Sequence, residues 1–336
     1  MKNPNRIITT ALLIAGLALA ILSGCKKTPD SALRSASVRL NWIPSCSFAG
    51  EMLGIERYSK ENGVSIKLEA GGPGIDPIKL VQSGANTFGV AGSDLVLVAN
   101  DKGADFVIIG LVSYDSPGVW LAKTSTNIRS IADVHGKRIG ELPGGNMQYL
   151  YEVFLKRTGL KRGESFTPVP IPFDLKNFIA KDDCDLRPVF VYDETSDLKL
   201  QGIDYTLIEP KNFGIQFKGI CYFCKRSTME DNPELVQAFI NTMARGWEAA
   251  LDNPEEAIAA LKRFDDSINP EKELLGLQSG RPYLSGYEGK VLSTDVDSWK
   301  QMATDMVELG FLSKAPDLER TLQFQFVTEY HKDGGD

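Results

Sequence analysis

From Val38 to Val112 short apolar or period-two runs alternate with segments whose apolar residues recur every three to four positions, and this alternation restricts the chain to an α/β fold. The run Ser37 to Trp42 fits a strand, a helix is expected from about 47 to 62 with Gly63 ending it, and Val64 to Glu69 reads as the next strand. Gly71-Gly72-Pro73-Gly74 forms a loop. Asp76 and Pro77 then suit the N-cap and first position of a helix that runs to Ser83 before Gly84. Thr87 to Val90 is a short strand, Ser93 is expected to cap a helix to Asn100, and Asp105 to Val112 is the unbroken apolar run of a buried parallel strand.

A second block of the same kind begins near Gly118. Strands are expected at 119–122, 136–140, 167–171, 188–192 and 205–208, with an amphipathic helix at 147–158 stopped by Gly159. A strand returns at 217–223, and the remainder is mostly helical. Val236, Ile240, Met243, Trp247 and Leu251 carry its clearest stripe, behind Asn232 and Pro233 as cap and first turn. The middle block therefore reads as a lobe of its own.

The start of the chain is an address. Lys2 and Arg6 precede an apolar run from Ile7 to Leu22 that is short for a membrane span and fits an export signal. Its ending, Leu22-Ser23-Gly24-Cys25, resembles the bacterial lipobox. That resemblance implies removal of 1–24 and a lipid on Cys25, with a polar tether over 25–37 holding the body at the extracytoplasmic side of the membrane. The 336 residues hold 37 basic against 44 acidic side chains, a net charge of -7, which argues against nucleic acid as a partner. Cys46, Cys184, Cys221 and Cys224 can stay unpaired in a chain of this size, and Cys221 with Cys224 lacks the second ligand pair that zinc needs.

Several stretches taken in order resemble the solute-binding proteins of bacterial ABC importers, in the branch related to thiamine-pyrimidine biosynthesis and to nitrate, sulfonate and taurine binding. They are Leu40-Asn41-Trp42-Ile43-Pro44, the 71–77 loop, Val81 to Gly84 with Phe88-Gly89-Val90, Asp133 to Gly140, Val191-Tyr192-Asp193-Glu194, and Asn232-Pro233-Glu234. The resemblance implies two α/β lobes, one of 38–114 with 216–331 and one of 115–215, with 332–336 as a tail; this is the type II periplasmic-binding-protein fold, with a ligand clamped in the cleft between the lobes. It also implies a monomer that works with a membrane permease and carries no cofactor.

Ligands of open parallel sheets sit beyond the carboxyl ends of strands, which selects the candidate residues. Asn41, Trp42, Ser45 and Phe48 follow the first strand, Ser93 and Asp94 follow the third, and Gly144, Gly145 and Asn146 form a glycine-rich turn in the inserted block. Tyr192 and Glu194 follow a strand end there, while Tyr114 and Trp120 lie where the chain crosses between lobes. Trp42 is either core or a stacking surface for an aromatic ring, and Glu194 either closes a turn or accepts hydrogen bonds from an amino-substituted ring. The expected ligand is an aromatic heterocycle, foremost an aminopyrimidine thiamine precursor. Riboflavin is the alternative, and small anions such as sulfonate or nitrate are disfavoured because only Arg138 and Arg187 lie near the candidate loops.

The same family includes a pyrimidine synthase that uses a lysine and a histidine with pyridoxal phosphate. Aligned with it, those positions are Ala91 and Leu95 here, and a histidine of relatives falls on Phe48. The chain has two histidines, His135 and His331, neither beside a catalytic partner, so no enzyme is expected.

Overall fold

The structure is a computed structural model that describes residues 33–142 and 145–333, without the side chains of 145, 146 and 333. The export signal at 1–24, Cys25, most of the tether and Gly144 lie outside the described residues. Among those described, no helix is long and apolar enough to cross a membrane.

The first sheet has five strands in the order β2-β1-β3-β10-β4: β1 Arg34–Arg39, β2 Val64–Glu69, β3 Phe88–Gly92, β4 Phe106–Leu111 and β10 Ile220–Lys225. β1 lies between β2 and β3 and is parallel to both, with Arg34 opposite Val64 and Val38 opposite Phe88. That register corrects the expected tether. Arg34 to Ser37 pair with Val64 to Lys67, so ordered structure begins inside 25–37 and Trp42 falls beyond the strand's end.

β10 runs antiparallel to both β3 and β4, with Tyr222 opposite Val90 and Gly110. The apolar run of β4 therefore does not mark a parallel strand. All six of its residues are buried because both faces of the sheet are covered by helices, the condition that produces unbroken apolar runs in either direction of pairing.

Helix α1 (Ala49–Tyr58) crosses α8 (Pro233–Asp252) at glycines. A Cβ on Gly246 would lie 2.2 Å from the Gly50 carbonyl oxygen and 2.6 Å from Gly54 Cα, so the backbones touch. α2 (Pro77–Ser83) starts as its sequence indicates: the Asp76 side chain accepts from Lys79 N–H, and Gly84 at φ +80° ends it. α3 (Ser93–Asp101) follows β3 directly.

The segment between the two crossings builds the remaining sheets. β5 (Gly118–Lys123) lies between β8 (Arg187–Phe190) and β9 (Tyr205–Ile208), antiparallel to both, and β6 (Arg138–Glu141) pairs in parallel with β7 (Thr167–Pro170). α4 (Gly145–Thr158) packs Leu150, Val153 and Phe154 into this core, and Gly159 at φ +71° stops it. α6 (Glu194–Leu200) follows β8, and α10 (Pro270–Leu284) packs against α6. The lone cysteines Cys46, Cys184, Cys221 and Cys224 are all buried and unpaired.

Candidate functional site

Beyond β1 the chain leaves the sheet as a loop from Leu40 to Ser45. Gly71 presses on it: its N–H donates to the Trp42 carbonyl at 3.0 Å, and a Cβ there would lie 2.3 Å from the Leu40 oxygen, so the site admits only glycine. Trp42 is half-buried and its ring centroid is 5.8 Å from that of Phe173, tilted by 46°. Phe173 stands in the loop after β7 and is 53% exposed, so the pair brings the loop beyond β1 against the loop beyond β7 while keeping aromatic surface free. The Asn41 Oδ1 oxygen is buried and has no hydrogen-bond partner among the described residues.

The next turn, Cys46 to Phe48, is fixed by packing. Its Cys46 N–H donates to Glu273 Oε2 of α10 at 2.6 Å, and the Cys46 thiol donates to the Tyr192 carbonyl at 3.6 Å. Burial, followed by the charges of Glu273 and Asp193, pushes that thiol well up. The Ser45 and Ser47 hydroxyls are 2.8 Å apart and satisfy each other. Phe48, expected on the cleft wall, is 1% exposed and belongs to the core; its ring replaces a polar side chain with packing, not with ligand surface.

Ser93 and Asp94 open α3. Ser93 does not cap the helix: its hydroxyl donates to the Gly219 carbonyl at 2.6 Å and ties α3 to the returning crossing segment. Asp94 is wholly buried, and neither carboxylate oxygen has a hydrogen-bond partner among the described residues. Burial pushes its carboxyl up to about 7, against the pull of the N–H groups at the helix start. Tyr149 of α4 faces it: burial and then the charge of Asp94 raise that phenol.

The other candidates divide between packing and crossing. Tyr192 is buried over α10, where its Cβ lies 3.1 Å from the position of a Cβ on Gly280, and its ring is nearly parallel to Phe190 at 6.3 Å. Glu194 accepts the Phe190 N–H at 2.8 Å and closes its own turn, with its carboxyl raised by burial and by Asp193. Tyr114 donates to Asp295 and lies under the buried Lys218 ammonium, 3.4 Å from the ring centroid, at the crossing segments. Trp120 was expected at the crossing as well. It is instead fully buried, stacked at 3.8 Å on Phe154, and its indole N–H has no partner among the described residues. Every residue of β5 but the last is buried, so position 120 is covered whichever face it takes. Gly145 and Asn146 begin α4, whose first side chains are not described.

The terminal nitrogens of Arg187, though not its buried Nε, and the guanidinium of Arg138 already have partners. Arg187 is buried and donates to the Pro172, Phe173 and Asp174 carbonyls, and Arg138 forms an ion pair with Asp185 at 2.8 Å. No group of histidine, cysteine, aspartate and glutamate suited to a metal ion occurs among the described residues.

The profile of the NMT1/THI5-like family matches residues 47–257, more than half of the sequence. The chain belongs to the NMT1/THI5-like family. It is 24% identical over 304 residues to the formylaminopyrimidine-binding protein of Halalkalibacterium halodurans, covering 87% of this chain and 90% of that one. Riboflavin-binding protein RibY of Chloroflexus aurantiacus is 22% identical over 352 residues, with 96% and 97% covered. A 4-amino-5-hydroxymethyl-2-methylpyrimidine phosphate synthase of Legionella pneumophila is 27% identical over 243 residues, with 69% and 74% covered. The periplasmic aliphatic sulphonate binding protein SsuA of Escherichia coli superposes with a TM-score of 0.67 at 16% identity, over 85% of this chain and 91% of that one. The fold is thus the two-lobed periplasmic-binding-protein fold.

Within this NMT1/THI5-like chain, sequence reasoning missed Phe173, Tyr149 and Glu51. Phe173 sits in a proline-flanked loop with no periodic signal, and Tyr149 lies on a helix whose stripe of Leu150, Val153 and Phe154 drew the eye to the core. Glu51 carried a signal. It is the lone acid within the apolar and small run from Phe48 to Gly54, and it is fully buried.

Proposed function

We propose that the protein is the extracytoplasmic solute-binding component of an ABC importer and captures a small aromatic heterocycle, foremost an aminopyrimidine thiamine precursor. The observation that carries this reading is the set of groups beyond the ends of the parallel neighbours β1 and β3: an aromatic pair, Trp42 with Phe173, and buried acceptor oxygens on Asn41 and Asp94 with no hydrogen-bond partner among the described residues. A flat ring with N–H groups supplies what such a set lacks. The names of two relatives, which bind a formylaminopyrimidine and riboflavin, support a heterocycle of this class. A sulfonate or nitrate is a poorer match, since a carboxylate repels it and the nearby arginines already donate to protein oxygens.

In this reading 38–114 with 216–331 form one lobe and 115–215 the other, and the ligand stabilises their closed arrangement. A lipid on Cys25 tethers a monomeric receptor to the membrane near its permease. The pyridoxal-dependent synthase reading, to which the Legionella relative points, lacks its lysine and histidine: Ala91 is buried in β3 and Leu95 is on α3.

Native mass spectrometry of freshly purified protein, followed by calorimetric titration with a formylaminopyrimidine, riboflavin and taurine, tests the proposal. Micromolar or tighter binding of either heterocycle is the expected result. Binding of taurine alone, or pyridoxal phosphate held as an absorbing adduct with turnover, would overturn it.

A further inference from the structure

Among the described residues one fully buried carboxylate has no hydrogen-bond partner on either oxygen. Glu51 accepts from the Tyr222 hydroxyl, Glu273 from Cys46 N–H and Asp305 from Arg157, whereas Asp94, equally buried, accepts from no described donor with either oxygen. A lone ionised carboxylate removed from water costs several kcal/mol unless a cation or several donors meet it. The N–H groups at the start of α3 pull on Asp94, but no cation meets it. The titratable groups facing Asp94 are Tyr149 from α4 and Cys221 from β10, and its charge raises both. Among the described residues no lysine, arginine or histidine acts on it.

Its place decides what the missing partner is. Asp94 stands at the carboxyl end of β3, and Asn41 stands beyond the carboxyl end of the parallel neighbour β1, with a second unpartnered acceptor oxygen. Acceptors without donors select a ligand rich in N–H groups, and a buried carboxylate without a counter-ion selects a positive one.

We infer that Asp94 is the charge-selecting residue of the site and that the ligand is a cationic heterocycle, its protonated amino group held against the Asp94 carboxylate. The inference rests on the proposed solute-binding role and deepens it: the substrate class narrows from aromatic heterocycles to those carrying an ammonium or amidinium group. Neutral rings of equal shape leave the carboxylate unpaired and bind more weakly.

Two probes of matched shape test this, 4-amino-5-aminomethyl-2-methylpyrimidine and its 5-hydroxymethyl counterpart, titrated at neutral pH into the wild-type protein and into Asp94→Asn. The wild type is expected to prefer the amine by tenfold or more. Asp94→Asn, which keeps shape and one acceptor oxygen, is expected to cut amine affinity by tenfold or more and to erase the preference while its thermal unfolding stays cooperative. Equal binding of the two probes by the wild type overturns the inference and leaves the solute-binding role standing, as does a preference that survives in Asp94→Asn. Tight binding of riboflavin with no binding of the amine has the same meaning. Failure of every heterocycle, with no small molecule retained in native mass spectrometry, overturns both.

Discussion

The Tyr222 hydroxyl donates to Glu51 Oε1 at 2.7 Å, and the Trp247 indole N–H donates to that same hydroxyl at 3.0 Å. The chain of three buried groups links α1, β10 and α8, and it ends on a carboxylate whose other oxygen has no hydrogen-bond partner among the described residues. Burial outweighs the hydrogen bonds and pushes the Glu51 carboxyl up to about 8 from an ordinary 4.5.

This makes stability fall as pH rises. A carboxyl that holds its proton more tightly when folded stabilises the fold fully below about 4.5, loses that contribution as pH climbs to about 8, and changes little beyond. Asp94, raised to about 7, acts with the same sign over a narrower window. Urea unfolding from pH 4 to 9 is expected to show Glu51→Gln gaining on the wild type by a few kcal/mol across that range. A difference that does not change with pH would show that Glu51 is ionised in the folded protein.

Helices α1 and α8 meet through Gly50, Gly54 and Gly246, and a Cβ at Gly246 would stand 2.2 Å from a backbone oxygen. No side chain is available to move aside, so the helices themselves must separate. Gly246→Ala is expected to cost about 2 to 3 kcal/mol, the upper part of the range for overpacking. A shift in denaturation midpoint equivalent to less than about 0.5 kcal/mol would mean that the crossing relaxes freely.

The alternation of periods exposed nearly every strand and most helices of this fold, because strand and helix patterns depend on residues close in sequence. What it did not expose was direction and partnership. The apolar run Phe106 to Leu111 looks the same whether its neighbour is parallel or antiparallel, and β10 arrives from more than a hundred residues away. The site followed the same division. Of the proposed site, Asn41, Trp42 and Asp94 stand after strand ends and are candidates from sequence alone, whereas Phe48 and Trp120 are packed in the core, since exposure depends on what packs above a residue. Phe173 meets Trp42 only through tertiary structure.

All four described thiols are buried, and burial raises each, Cys184 to about 12. A thiol reagent attacks the thiolate, which needs both exposure and ionisation. Alkylation at pH 7.5 is therefore expected to be slow in the native protein and to become complete in denaturant, with mass spectrometry counting the modified positions. Rapid native labelling at Cys46 would reveal that the turn holding it against Glu273 and Tyr192 opens.

Trp42 and Phe173 come from opposite sides of the proposed cleft, and each leaves ring surface uncovered. If they grip a planar ligand, removing either ring lowers affinity without unfolding the protein, since neither is part of the closed core. Trp42→Ala is expected to weaken heterocycle binding by about 1 to 3 kcal/mol, and Phe173→Ala by about 0.5 to 1.5 kcal/mol because its ring is more exposed. The two losses should be less than additive, since the rings contact each other as well as the ligand. Calorimetry on the two single variants and the double variant checks this, and unchanged affinity in Trp42→Ala removes the indole from the site.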